Sequence, residues 1–281
     1  MNVIKPMLAH PAGKKEIDYG DTVFVQPKLD GVRCVFTKNG AFSRTGKQFK
    51  NVDHIERGLR GFFKKYPDIV LDGELYNHKL KNDFEKIISL VRKTKPTLAH
   101  KHEASKLVEY HLYDFINDLN YENRIRFIEG LFRSGNAYSH PSIKVVTTHY
   151  VEQESNARIF HDEFLSQGYE GTILRLNKPY ECKRSYNLQK FKDFEDAEAT
   201  IVGYELGKGK RKGTIGKFLM QDDDGNKFGC PPGKGYNYSQ MATMLNNIHL
   251  YMGQRATFTF FGRTKAESYR HPSFKGIRNY E

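Results

Sequence analysis

The chain has 281 residues, with 45 Lys and Arg against 33 Asp and Glu, for a formal net charge of +12 at pH 7. That length allows one large or two modest domains with a real core. The 17 Tyr and 20 Phe argue against a largely disordered chain, and no apolar run approaches the roughly 20 residues of a membrane span. The opening, Met1 to Pro6, lacks the apolar core of a signal peptide. Cys34, Cys182 and Cys230 are odd in number and far apart, which argues against a disulfide framework and for a reducing cytoplasm. The positive excess favours polyanionic partners, nucleic acid above all.

In chain order, residues 22–25, 32–37 and 69–71 read as buried strands, rich in β-branched and aromatic residues and bounded by Gly, Pro or Asp. Residues 53–65 place Ile55, Leu59, Phe62 and Phe63 at helical spacing, and residues 82–92 do the same with Phe84, Ile87, Ile88 and Val91. A strand is expected over 107–116, helices over 121–133 and 153–167, and a strand over 171–176. This α+β order predicts a first domain over residues 1–194. Beyond it, short strands over 199–206, 215–221, 226–229 and 255–261 alternate with Gly-rich turns and one helix over 238–250. Residues 195–281 therefore suit a small all-β barrel of the oligonucleotide-binding (OB) type.

The segment Gln26-Pro27-Lys28-Leu29-Asp30-Gly31-Val32-Arg33 lies between two predicted strands. A lysine amine at a strand end can attack an activated phosphorus once it is deprotonated, Arg33 can hold a nucleotide oxygen, and Gly31 permits a tight turn with φ > 0. Taken alone, the string equally describes a hairpin turn with solvated charges.

Lys28-x-Asp30-Gly31-x-Arg33 resembles the nucleotidyl-lysine motif of covalent nucleotidyltransferases, the group of ATP-dependent DNA ligases, RNA ligases and mRNA capping enzymes. Further segments resemble that group's motifs in the same order: Ser43-Arg44-Thr45-Gly46, Asp72-Gly73-Glu74-Leu75, Tyr113-Asp114-Phe115, Glu170-Gly171-Thr172-Ile173 and Lys190-Phe191-Lys192. Asp196 to Gly203 and Gly207 to Gly213 are similar to the junction and OB segment of the DNA ligases. Singly, each segment has a plain structural reading: a solvated strand-end acid, a packed tyrosine, a turn, a wet strand face.

The resemblance implies a nucleotidyltransferase (ATP-grasp-like) domain followed by an OB-fold, and an ATP-dependent DNA ligase that seals 3′-hydroxyl/5′-phosphate nicks. Lys28 is implied as the residue that takes AMP from ATP. Gln26, Arg33, Glu74, Tyr113, Lys190 and Lys192 are implied nucleotide contacts, with Tyr113 stacking on the purine. Glu170 and Glu74 are implied ligands of Mg²⁺ or Mn²⁺. Arg44, Arg184, Lys208, Lys210, Arg211 and Lys212 are implied contacts to nicked duplex DNA, clamped by a monomer. Basic residues that orient pyrophosphate are not cleanly matched; Arg270, Lys275 and Arg278 are the candidates. The short segment before Lys28 leaves no room for a nicotinamide-recognition domain, so ATP is the expected donor, in a bacterial or phage-infected cytoplasm. An RNA ligase or capping enzyme, and a non-catalytic basic binding module, are the competing expectations.

Overall fold

A computed structural model describes residues 4–278 apart from 14, 82, 192–194, 234, 261–262 and 264–267. The chain divides into two compact units, residues 1–192 and 193–281. Among the described residues no helix is long and apolar enough to cross a membrane.

The first unit runs β1 (Leu8–Pro11), β2 (Val23–Pro27), β3 (Val32–Thr37), β4 (Gly40–Phe42), α1 (Asp53–Lys65), β5 (Leu71–Tyr76), α2 (Phe84–Val91), α3 (Leu98–Leu107), β6 (Glu109–Phe115), α4 (Tyr121–Phe132), β7 (Ile143–Val145), β8 (His149–Val151), α5 (Glu154–Ser166), β9 (Thr172–Leu176) and β10 (Arg184–Phe191). Its strands form two five-stranded sheets, ordered β1-β10-β9-β2-β8 and β4-β3-β5-β6-β7.

Strand alternation assigns the faces. On the first sheet, Val23, Val25 and Leu174 bury themselves with Ala157 and Phe164 of α5. On the second, Cys34, Phe36 and Leu75 pack with Ile55, Leu59 and Phe62 of α1 and with Ile87, Leu90 and Ala104 of α2 and α3. The opposite faces carry Gln26 and Arg175 on one sheet, Asp72 and Asp114 on the other. These side chains are buried, so their polar atoms need partners inside the protein.

They find them. Asp114 takes Arg124 through Nε at 2.7 Å and Nη2 at 3.2 Å, and Arg175 through Nη1 at 2.8 Å. Arg175 Nε donates to Gln26 Oε1 at 2.6 Å. The Gln26 amide donates to the hydroxyls of Tyr121 and Thr148 at 2.9 and 2.8 Å. One polar network thus joins β2, β9, β6, α4 and Thr148, the residue just before β8.

Sequence periodicity matches best where an apolar stripe is strong. Strand 32–37 and helix 53–65 fall where expected, whereas the strand expected at 69–71 begins at Leu71 and runs to Tyr76. Helix α3 has no such stripe, with only Ala104 buried. Its start is fixed locally: Thr97 Oγ1 accepts the His100 N–H, and His100 Nδ1 accepts the Thr97 N–H.

The second unit has β11 (Glu195–Leu206), β12 (Ile215–Gln221), β13 (Lys227–Cys230), α6 (Tyr238–Asn246), β14 (Arg255–Phe260) and β15 (Ser273–Ile277). All its ladders are antiparallel, in the order β13-β12-β11-β14-β15. Long β11 pairs with β14 through residues 195–200 and with β12 through residues 200–206, with register shifts near Gly203 and Leu206. The sheet curls until its edges touch: Phe274 N donates to Pro231 O, and Gly233 N donates to Phe274 O. Met241 and Met244 of α6 pack with Ile201, Phe218, Met220 and Phe258. The helix expected over 238–250 stops at Asn246, and Ile248–Leu250 is a 3₁₀ turn.

Asp114→Ala would leave two buried guanidiniums without their shared carboxylate. The expected loss is about 3–5 kcal/mol of unfolding free energy, read from urea titration followed by a signal from the first unit. A loss under about 1 kcal/mol would mean that the guanidiniums re-pair at little cost.

Candidate active site

Lys28 follows β2 directly. Its N–H donates to Gly171 O at 2.8 Å, and the Glu170 N–H donates to Lys28 O at 3.0 Å, so the β2–β9 ladder carries both residues past its last pair. Their side chains close the same link, Lys28 Nζ pairing with Glu170 Oε2. The ammonium is 18% exposed and the carboxylate 10%.

Gly31 is required, but not for positive φ, which it does not have. A Cβ there would lie 2.5 Å from Leu75 O and 2.7 Å from Glu74 Cγ. The missing side chain lets the turn after Lys28 press against β5 beside Glu74.

Arg33 on β3 donates to Asp72 through Nε at 2.7 Å and Nη2 at 2.5 Å, and Nη2 also reaches Met7 O at 3.0 Å. Among the described residues Nη1 has no hydrogen-bond partner, which leaves one end of the fork for a ligand. Asp72 also accepts from Tyr180 OH at 2.7 Å.

Tyr113 is the extra residue of a bulge: Asp72 faces Asp114, Gly73 faces Leu112, and Tyr113 has no opposite number. A bulge re-aims its side chain. Tyr113 OH donates to Glu74 Oε2 at 3.3 Å. Its ring lies 5.2 Å from the Arg33 guanidinium and 5.0 Å from that of Arg175. Only 9% of Tyr113 is exposed, which leaves little open face for a stacking purine. Burial pushes the Glu74 carboxyl up to about 7, against the pull of Arg33 and Lys28.

Other expected residues fall differently. Gln26 lies on this face but is 1% exposed. Both its amide hydrogens and its carbonyl oxygen are used by Tyr121, Thr148 and Arg175. In this arrangement the Gln26 side chain braces the strand that carries Lys28. Lys190 faces Ile173, which faces Gln26, so all three share a row across the sheet. Lys192 lies outside the described residues. Among the described residues no group of three or more His, Cys, Asp or Glu side chains converges to hold a metal.

Arg44 sits exposed in a tight turn closed by Gly46 N donating to Ser43 O at 2.9 Å, and has no partner among the described residues. Exposed Arg184 donates to Ala9 O across the β1–β10 edge. Lys208, Lys210 and Lys212 are exposed. Arg211 is half-buried, with Nη2 3.1 Å from Met241 Sδ of α6.

Sequence reading missed Asp114, Arg175, Tyr121 and Tyr180 as the brace behind the site. Arg175 left a signal, a lone charge between Leu174 and Leu176 in a strand buried on both faces. Asp114 left the same signal between Tyr113 and Phe115; Tyr121 and Tyr180 left none.

The fold and the lysine at its strand end define a nucleotidyltransferase unit followed by an OB-like unit. Within that class the chain belongs to the ATP-dependent DNA ligase family: the model of the ATP dependent DNA ligase domain matches residues 6–192, and that of the DNA ligase OB-like domain matches residues 206–278. A DNA ligase of African swine fever virus (isolate Tick/South Africa/Pretoriuskop) is 31% identical over 211 residues, covering 68% of this chain and 46% of the viral protein. The chain thus spans about half the length of such viral relatives. A DNA ligase of Haemophilus influenzae is 25% identical over 214 residues, covering 76% of this chain and 72% of that one. A solved Lig E DNA ligase superposes with a TM-score of 0.80 at 26% identity, covering 97% and 98% of the two chains.

The raised Glu74 carboxyl has a definite sign. The folded chain holds a proton that the unfolded chain releases near pH 4.5, so this group lowers stability as pH rises from about 4.5 to 7, and by a constant amount above that. Glu74→Gln removes the penalty. Its stability relative to the parent should be lowest below pH 4.5 and should rise to a plateau above pH 7, by at most about 3 kcal/mol. Urea titrations between pH 4 and 8 check this; a difference that does not change with pH would show that Glu74 titrates normally.

Proposed function

We propose that this chain seals nicks in duplex DNA, using ATP, through AMP linked to Lys28. The observation that carries the reading is the Lys28–Glu170 ion pair at the end of β2, on the face that also bears Lys190. In the first step Lys28 Nζ attacks the α-phosphorus of ATP, a P–N bond forms, and the P–O bond to pyrophosphate breaks. Nζ must lose a proton first, and Glu170 Oε2, already bonded to it, is placed to accept it. Lys190, the open end of Arg33 and the uneven charge behind them favour the charge that builds on the phosphoryl oxygens. In the second step the 5′-phosphate at the nick attacks the same phosphorus and the P–N bond breaks. In the third the 3′-hydroxyl attacks the 5′-phosphorus and AMP leaves.

Glu170 fits a divalent metal, Mg²⁺ or Mn²⁺, of the kind held by one or two carboxylates and substrate phosphates. When bound, such an ion offsets phosphate charge. Glu74 fits less well as a ligand, because burial keeps its carboxyl half-protonated near neutral pH; a hydrogen bond to a ribose hydroxyl suits it better. Arg44, unpartnered at its turn, is a receptor for the 5′-phosphate, since a guanidinium binds phosphate through two parallel hydrogen bonds. The exposed Lys208, Lys210 and Lys212 fit backbone phosphates.

Incubation with labelled ATP and magnesium should label the chain, and Lys28→Ala should abolish the label and the sealing of a nicked duplex. Arg44→Ala should keep the label and slow sealing by about 10- to 100-fold. Label from GTP instead would favour a capping enzyme. Sealing confined to RNA strands would favour an RNA ligase. Salt-sensitive DNA binding without any label would leave a binding module.

A further inference from the structure

Helix α1 carries Arg57, Arg60 and Lys64 on one exposed face, at i, i+3 and i+7. They line an open groove of about 660 Å³ between the helix and the β3–β4 hairpin, together with Lys38, Gln48 and the carboxylates of Asp53 and Glu56. In α4 and α5, by contrast, exposed arginines are neutralised one turn back: Arg126 by Glu122, the cap residue Arg133 by Glu129, and Arg158 by Glu154. The same spacing offers Arg57 the carboxylate of Asp53, and Arg60 that of Glu56. Neither pair forms. Asp53 is taken by Lys101 of α3 at 3.0 Å, and Glu56 accepts the Ala41 backbone N–H. One turn behind Lys64 stands Arg60, a like charge.

Arg57, Arg60 and Lys64 therefore have no ionic or hydrogen-bond partner among the described residues. Like charges one turn apart destabilise a helix by a few tenths of a kcal/mol per pair. The groove therefore keeps three unsatisfied cations where two intrahelical acids are diverted. Seven residues of helix span about 10 Å. At one charge per roughly 3.4 Å along each DNA strand, that row faces about three phosphates.

We propose that this face of α1 is a second duplex-DNA contact, gripping backbone phosphates of one strand away from the reacting ends. The inference rests on the duplex-DNA reading above. Its partner is the phosphate backbone, because the row has charge complementarity and regular spacing but no convergent groups to read a base edge. The Ser43–Lys50 loop, with exposed Arg44, Lys47 and Lys50, leads straight into α1. The contact is thus continuous in sequence with the residue assigned to the 5′-phosphate.

The test compares the full chain with its Arg57→Gln/Arg60→Gln/Lys64→Gln variant, using nicked duplex DNA between 50 and 200 mM salt. The slope of log affinity against log salt should fall in magnitude by about 2–3, close to one per lost phosphate contact. Labelling of Lys28 by ATP should not change, and the thermal midpoint should hold or rise as like-charge repulsion is relieved. An unchanged slope, with wild-type labelling and DNA binding intact, overturns this contact alone. It would leave the face as plain solvated charge or as a site for an acidic protein. Absence of nicked-duplex binding by the wild-type chain overturns the DNA reading and this inference with it.

Discussion

Asp114 has no exposed surface and is held by two guanidiniums, Arg124 from α4 and Arg175 from the opposite sheet. Burying three charges costs far more than a surface ion pair and is tolerated only when every lone pair and N–H is placed. Most of them are placed here: Arg124 Nη1 continues to the carbonyls of Leu119 and Lys178, and Arg175 Nε to Gln26. The consequence is directional. Gln26 stands two residues before Lys28 on the same strand face, so the brace that joins the sheets also sets the height of the nucleophile. A sheet interface packed only with aliphatic side chains would bind as well but would fix neither register nor orientation at that point.

The same brace gives the cleft its sign. Arg33, Arg124 and Arg175 face two fully buried aspartates, Asp72 and Asp114. Even with Arg33 and Lys28 pulling the other way, burial pushes the Glu74 carboxyl up to about 7. An interior with more fixed cations than ionised acids, opening beside an ammonium and a carboxylate, is prepared for a polyanion before one arrives. The aromatic rings serve that electrostatics: Tyr113 lies near two guanidiniums, and Tyr180 donates to the carboxylate that holds Arg33.

The parts legible from sequence are those whose cause is local. A stripe such as Ile55-Leu59-Phe62 writes α1 into the chain, and β-branched runs write β3 and β12. Ordered short motifs bring out Lys28, Arg33, Glu74, Glu170 and Lys190, because each reactive group carries its turn glycine or its alternation with it. What was not legible depends on partners far along the chain. Asp114 and Arg175 are 61 positions apart and Asp72 and Tyr180 are 108 apart, so no window of sequence shows that either pair meets. Gly31 illustrates a subtler miss. The glycine was expected for its backbone freedom, yet it is needed for the absence of an atom against β5, a fact about a strand more than 40 positions away. Gln26 and Arg211 show the same dependence on distant partners: Gln26 is held by Tyr121, Thr148 and Arg175, and Arg211 lies against Met241.

Seen through partners rather than totals, the net charge of +12 separates into populations with different physics. The guanidiniums of Arg124 and Arg175 are structural and share the buried carboxylate of Asp114. The exposed arginines of α4 and α5 are matched within their own helices and contribute little field at a distance. Arg44, the α1 row of Arg57, Arg60 and Lys64, and the exposed Lys208, Lys210 and Lys212 have no ion-pair partner among the described residues. The α1 row stands out among these because the acids one turn back, Asp53 and Glu56, do not pair with it. A protein that needed positive charge only for solubility could scatter it at random. Diverting Asp53 to Lys101 and Glu56 to a backbone amide, while Arg57 and Arg60 stand one turn away, is a local arrangement with an electrostatic cost, and an anion seated in the groove is the simplest physical way to offset it.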